Sequence, residues 1–172
     1  MNNIKVALFI GVLILLGVGI YYQLGGFNKV GFSIEYRDDV KLLGLTYRGT
    51  PQDEEMAETF REIGNLVQAH SGTNLHTVYS VEPAGKLDTL QVFVGIEYRA
   101  HLNSLDALEV MNIPCSRVIV ADIQAHKLVM PSPNTVKKEL EAFAKEKGVA
   151  TQGIYVDKIM DKGRVEVIAP LE

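Results

Sequence analysis

Two hydrophobic periodicities divide the chain. Val6 to Tyr22 is an apolar run without a charge, and with Ile4 and Leu24 it approaches the ~20 residues that cross a bilayer. After Gly25-Gly26 the period changes to two. Val30, Phe32, Ile34 and Tyr36 alternate within a strand expected over Phe27 to Arg37, Asp38-Asp39 turns, and a second strand runs from Val40 to Tyr47. Thr50-Pro-Gln-Asp53 then opens a helix. Thr50 caps it, Pro51 takes its first position, and Asp53 completes the box while favouring the positive end. Met56, Phe60, Ile63, Val67 and His70 recur at helical spacing, and Gly72 stops the element. Strands over Leu75 to Val81 and Leu90 to Tyr98 follow, joined by Glu82-Pro-Ala-Gly85. Arg99 to Asp106 is a polar connection.

The same order then returns. Strands are expected over Ala107 to Ile113 and Ser116 to Ala125, the latter rich in β-branched residues. Ser132-Pro133 starts a helix whose apolar stripe is Val136, Leu140, Phe143 and Ala144, ended by Gly148. Strands at Gly153 to Val156 and from Arg164 close the copy. The last is opened by a turn at Asp161-Lys162-Gly163 and stopped at Pro170. Aligning Val165 to Glu172 with Leu90 to Glu97 puts Glu166 where the first copy has Gln91.

Side chains alternate along a strand, so Val165 and Val167 share one face and Glu166 and Ile168 the other. A carboxylate beside an apolar residue is costly unless that face is wet, paired or bound to a cation. The fold class is therefore α+β: tandem β-α-β-β-type repeats forming one antiparallel sheet with two helices on one face, preceded by one transmembrane helix. The domains are an anchor and Gly-rich joint at 1–26 and a duplicated domain at 27–172, with halves of about 27–105 and 106–172. A shallow groove is expected on the helix-free face, at the junction of the halves.

Composition sharpens this reading. The 172 residues are 47% apolar with a formal net charge of −4 and no basic run, which argues against a nucleic-acid partner. The lone Cys115 reads as a small buried thiol. His70, His76, His101 and His126 show no ligand spacing, so neither a metal site nor a cofactor is expected. No nucleophile elbow or phosphate loop is present. Tyr21 and Tyr22 sit where an interfacial aromatic belt falls, and Tyr-Tyr-Gln is a poor signal-peptidase site, which favours an uncleaved anchor over a signal peptide. The bilayer is then a partner through residues 4–24. Lys5 on one flank and Lys29 and Arg37 on the other leave the orientation undetermined. Gly11, Gly17 and Gly19 form no GxxxG pair, so the anchor carries no dimerisation signal of that kind.

Arg48-Gly-Thr-Pro51, Val78-Tyr79, Glu109-Val-Met-Asn-Ile-Pro114, Ile154-Tyr155 and Val165-Glu-Val-Ile-Ala-Pro-Leu171, in this order, resemble the GyrI-like effector-binding domain over about Phe32 to Glu172. The resemblance implies a central groove that takes hydrophobic, often cationic compounds, with aromatic residues around a carboxylate. It assigns Glu166 as that carboxylate and Tyr155, Tyr79 and Tyr47 as groove aromatics. Met130-Pro-Ser132 departs from the family's usual Gly-Pro-Tyr, and no Trp is present. Some family members hydrolyse strained cyclopropane-bearing compounds. Others are membrane-anchored, including an autophagy receptor with a long tail; the sequence ends at Glu172, so that role is not expected. The expectation is a single-pass membrane protein that binds a small hydrophobic or cationic molecule. The alternatives are a hydrolase using the same groove and a membrane-associated protein-interaction module.

Overall fold

The computed structural model describes residues 3–81, 88–100, 108–160 and 163–172. The connection at Glu82 to Gly85, the turn residues Asp161 and Lys162, and most of the stretch from Arg99 to Ala107 lie outside the described residues. The elements are α1 (Asn3–Gln23), β1 (Gly31–Tyr36), β2 (Val40–Gly49), α2 (Glu54–Ala69), β3 (Leu75–Val81), β4 (Leu90–Glu97), β5 (Glu109–Ile113), β6 (Arg117–Gln124), α3 (Pro133–Glu146), β7 (Val156–Met160) and β8 (Arg164–Pro170).

One eight-stranded sheet runs in the order β1-β6-β8-β7-β3-β4-β2-β5, and every pairing is antiparallel. Directly opposed residues point to the same side, so the register defines rows across the sheet. Leu45, Val94, Thr77, Asp157, Val167, Ala121 and Phe32 form one such row. Val94 packs with Ile63 of α2, and Val167 and Ala121 pack with Val136, Leu140 and Ala144 of α3. Both helices therefore cover the same face.

The helix-free face is not an open groove. Leu42 of β2 and Ile113 of β5 share a cluster with Val118 and Val120 of β6, from the opposite end of the strand order. The sheet curls until its ends meet. The two end turns are joined where the Cys115 N–H donates to Asp39 Oδ1 over 3.0 Å. Val78, Phe93, Val156 and Ile168 fill the inside of the curl at 5% exposure or less, which leaves no shallow cleft over them. Cys115 is fully buried there, and desolvation pushes its thiol pKa up.

Among the boundaries that differ from the sequence expectation, the first strand, expected from Phe27, begins at Gly31 after the turn that ends α1, and two others bear on the site. The second-half strand expected at Gly153 to Val156 begins at Val156 and continues through Asp157 and Lys158. Gly153, at φ 74°, turns the chain into it. The first helix starts after Asp53 rather than at Thr50. The Asp53 carboxylate is committed backwards: it accepts from the Thr50 N–H at 2.9 Å and the Thr50 hydroxyl at 2.9 Å, and holds residues 50–53 in a turn. α3 follows the expectation, with the Ser132 Oγ accepting from the Thr135 N–H and Pro133 as the first residue.

Among the described residues one helix, over Lys5–Gln23, is long and apolar enough to cross a membrane, and none of that span is buried against the rest of the chain. Its end is tied down at the Gly25-Gly26 joint. Gly25, at φ 78°, and Gly26 close the helix by donating to Tyr22 O and Tyr21 O. The His126 N–H then donates to Leu24 O over 2.9 Å, and the Asn28 amide to Gln124 O over 2.7 Å.

Candidate functional site

At the middle of the helix-covered face the row contains two short polar side chains, Thr77 on β3 and Asp157 on β7. α2 packs over β2 and β4, and α3 over β6 and β8, so neither helix reaches these central strands fully. The gap between the helices is a cavity of about 480 Å³. Thr77 and Asp157 line its floor with Leu90 and Val167. Tyr79 and Tyr155 line it from the two central strand segments. Met56 and Phe60 of α2, and Asn134 and Lys137 of α3, form the walls.

The electrostatics of the cavity are mixed. The Thr77 hydroxyl donates to Asp157 Oδ2 over 3.4 Å, at the long end of the hydrogen-bond range. The Lys137 ammonium stands 4.5 Å from the centroid of the Tyr155 ring. The Tyr155 hydroxyl donates to Glu141 Oε1 over 3.0 Å. Burial, and after it the bond to Glu141, raise the Tyr155 phenol pKa; a side-chain bond with Thr151 and the charge of Lys137 oppose them. The first turn of α3 also borders the space, so the positive end of that helix faces the same cavity as Asp157. Chemically, the described residues offer one carboxylate in a largely apolar and aromatic hollow.

The structure brings together two of the four residues that the resemblance assigned. Tyr79 and Tyr155 line the cavity. Tyr47 does not: it is 3% exposed, packs under α2 beside Ile63, and its hydroxyl lies 2.8 Å from Asp53 Oδ2 and 2.9 Å from Thr50 O. A single phenol proton serves one of those acceptors at a time. Burial and the Asp53 carboxylate push the Tyr47 pKa up to about 12.

Glu166 lies on the other side of the sheet. Its neighbour Val167 lines the cavity, and alternation turns Glu166 away into the row His76, Lys158, Glu166, Asp122. There Glu166 Oε2 is 3.5 Å from Arg37 Nη1, and Oε1 is 3.9 Å from Arg164 Nη2. Arg164 also clamps Asp122 at 2.8 and 3.0 Å. His76 is buried in the same row with Nδ1 3.1 Å from Asn74 O, and burial lowers its pKa against the raising effect of Glu97. This row is a charge network, and the carboxylate in the cavity is Asp157. The signal for Asp157 was available: in Tyr155-Val156-Asp157 an apolar residue separates two that share the opposite face. Ending the strand at Val156 concealed it. Met56 and Phe60, which recur at helical spacing along α2, pack on the core and also face the cavity.

No family model matches the sequence, and no curated protein matches it. Solved structures share its fold at low identity. A hydrolase from Listeria innocua is 7% identical with a TM-score of 0.57, over 88% of this chain and 98% of that one. The C-terminal domain of EcmrR is 12% identical with a TM-score of 0.55, over 83% and 98%. SAV2435 bound to tetraphenylphosphonium is 12% identical with a TM-score of 0.51, over 83% and 94%. At these identities the likeness is one of fold.

Proposed function

We propose that the chain is a membrane-anchored effector-binding protein that takes a hydrophobic, cationic small molecule into the cavity between α2 and α3. Asp157 balances the ligand's charge, and Tyr79, Tyr155 and Phe60 surround its apolar body. The observation that carries this reading is a carboxylate at the floor of an aromatic-lined cavity over the two central strands. In such a hollow a carboxylate offsets the desolvation of an organic cation, and each aromatic face adds about 0.5–2 kcal/mol of cation–π attraction. That SAV2435, of the same fold, is bound to tetraphenylphosphonium agrees with this choice of ligand class. The anchor is the helix over Lys5–Gln23, and the halves at about 27–105 and 106–172 are read as duplicated units whose junction makes the cavity. Glu166 and Tyr47 lie outside this site, in the charge network of the other face and at the start of α2.

The test is a thermal-shift panel on the detergent-solubilised full chain with lipophilic cations, neutral isosteres and anions. Cations raise the melting temperature in the wild type and raise it much less in Asp157→Asn. Equal shifts in both proteins, or none in the wild type, contradict the reading.

A second reading keeps the cavity and makes it hydrolytic, in line with the Listeria innocua hydrolase fold. There Asp157 activates water against an electrophilic substrate. Turnover of such a substrate that disappears in Asp157→Asn favours it over binding alone.

A further inference from the structure

The end of α1 does not stand clear of the domain. The His126–Leu24 and Asn28–Gln124 hydrogen bonds hold the turn between β6 and α3 against the helix terminus. That turn is itself ordered. The Val129 and Met130 N–H groups both donate to His126 O, at 2.9 and 3.0 Å, and the Leu128 N–H to His126 Nδ1 at 3.3 Å. Its tip is Leu128, 75% exposed. On the helix side, Tyr21 and Phe27 meet edge to face with ring centroids 4.9 Å apart, and Tyr22 lies 6.5 Å from Phe27. Tyr22 is 70% and Phe27 61% exposed. The exposed cations Lys29 and Lys127 flank this group. A cavity of about 560 Å³ between Gln23, Asn28, Gln124, His126 and Lys127 opens at the same level.

Isolated exposed hydrophobics need no explanation, but Tyr21, Tyr22 and Phe27 form one aromatic group at the exit of an apolar helix, and Leu128 tips the turn that is bonded to that exit through His126 and Leu24. Water is a poor solvent for Leu128 and Phe27, whereas the headgroup–acyl boundary suits aromatic rings, a leucine tip and flanking lysines. We propose that Tyr22, Phe27 and Leu128, with Lys29 and Lys127, form a docking surface for the phospholipid interface of the bilayer that α1 enters. The domain is then seated on the membrane rather than hung from it, with the lysines on lipid phosphates. This rests on the anchor reading and is independent of what the cavity between α2 and α3 binds. Glu139 borders the neighbouring hollow beside Lys29 and limits the preference for anionic lipid.

The chain has no Trp, so a single introduced Trp reports its own surroundings. Full-length Leu16→Trp, Leu128→Trp and Tyr36→Trp are reconstituted into phosphatidylcholine vesicles, with or without phosphatidylserine, and quenched with lipids brominated on the acyl chain. Tyr36, 83% exposed at the far end of β1, is the control outside the surface. The proposal expects strong quenching of Leu16→Trp, quenching with a blue-shifted emission for Leu128→Trp, and neither for Tyr36→Trp. Adding Lys29→Ala and Lys127→Ala to Leu128→Trp reduces its quenching at least twofold in the phosphatidylserine vesicles. Quenching of Leu16→Trp with Leu128→Trp behaving like Tyr36→Trp overturns the docking surface and leaves the anchor standing. No quenching of Leu16→Trp overturns both.

Discussion

Thr77 and Asp157 face each other across the two central strands, and the Thr77 hydroxyl donates to the Asp157 carboxylate over 3.4 Å. That pairing puts a short, charged floor between Leu75 and Ile159 on one side and Tyr79 and Tyr155 on the other. Large side chains such as Phe in these positions would reach into the cavity and reduce its volume. The site is thus made by what the central strands lack in volume as much as by the tyrosines around it.

Lys137 already occupies part of the space that a cationic ligand would use, 4.5 Å from the Tyr155 ring centroid. Removing it frees that ring face and removes a like charge. Lys137→Ala is expected to tighten binding of tetraphenylphosphonium by about two- to fivefold, the scale of one exposed cation–π contact. Calorimetric titration checks this; weaker binding in the variant would mean that Lys137 holds the ligand rather than competing with it.

Glu166 gives the opposite expectation. It acts on the far face through Arg37 and Arg164 and has no line to the cavity. Glu166→Gln should leave the dissociation constant for lipophilic cations within about twofold of wild type and lower stability by about 1 kcal/mol, as loss of a partly exposed ion pair does. Urea denaturation and a binding titration on the same preparation separate the two effects.

The sequence carried the elements and the parity of Glu166 well, because alternation and helical spacing are local signals. It placed Glu166 beside Ile168 and apart from Val167, which is how β8 stands. It could not say which of those faces the helices cover, since that is decided by Val136, Leu140 and Ile63 finding β6, β8 and β4 in three dimensions. Nor could it show that the free face would curl shut on Leu42, Ile113 and Val118. Asp157 was missed for a different reason. A strand carrying Asp157-Lys158 at its centre looks polar in sequence, and only pairing to β3 on one side and β8 on the other makes it a strand.

Tyr47 and His76 each make stability depend on pH, in opposite directions. The Tyr47 phenol moves from its ordinary 10.0 up to about 12 in the folded chain. Its contribution is therefore complete below pH ~10 and lost as pH rises toward about 12, because the unfolded chain ionises first. His76 shifts the other way. Its folded pKa lies below the ordinary 6.5, so stability is retained above that value and declines as pH falls through it. Melting curves from pH 5 to 12 should show both arms. Tyr47→Phe should flatten the alkaline arm and lower the melting temperature at neutral pH, and His76→Gln should flatten the acidic arm. An unchanged alkaline arm in Tyr47→Phe would assign that loss to another group.

The central claim is that the Asp157 carboxylate draws an organic cation into the cavity between α2 and α3. Calorimetric titration of tetraphenylphosphonium into wild type and Asp157→Asn measures it most directly, because the substitution keeps the side chain's size and its ability to accept from Thr77. The account predicts saturable binding to the wild type and at least tenfold weaker binding to Asp157→Asn, about 1.4 kcal/mol or more. Equal dissociation constants for the two proteins would contradict it.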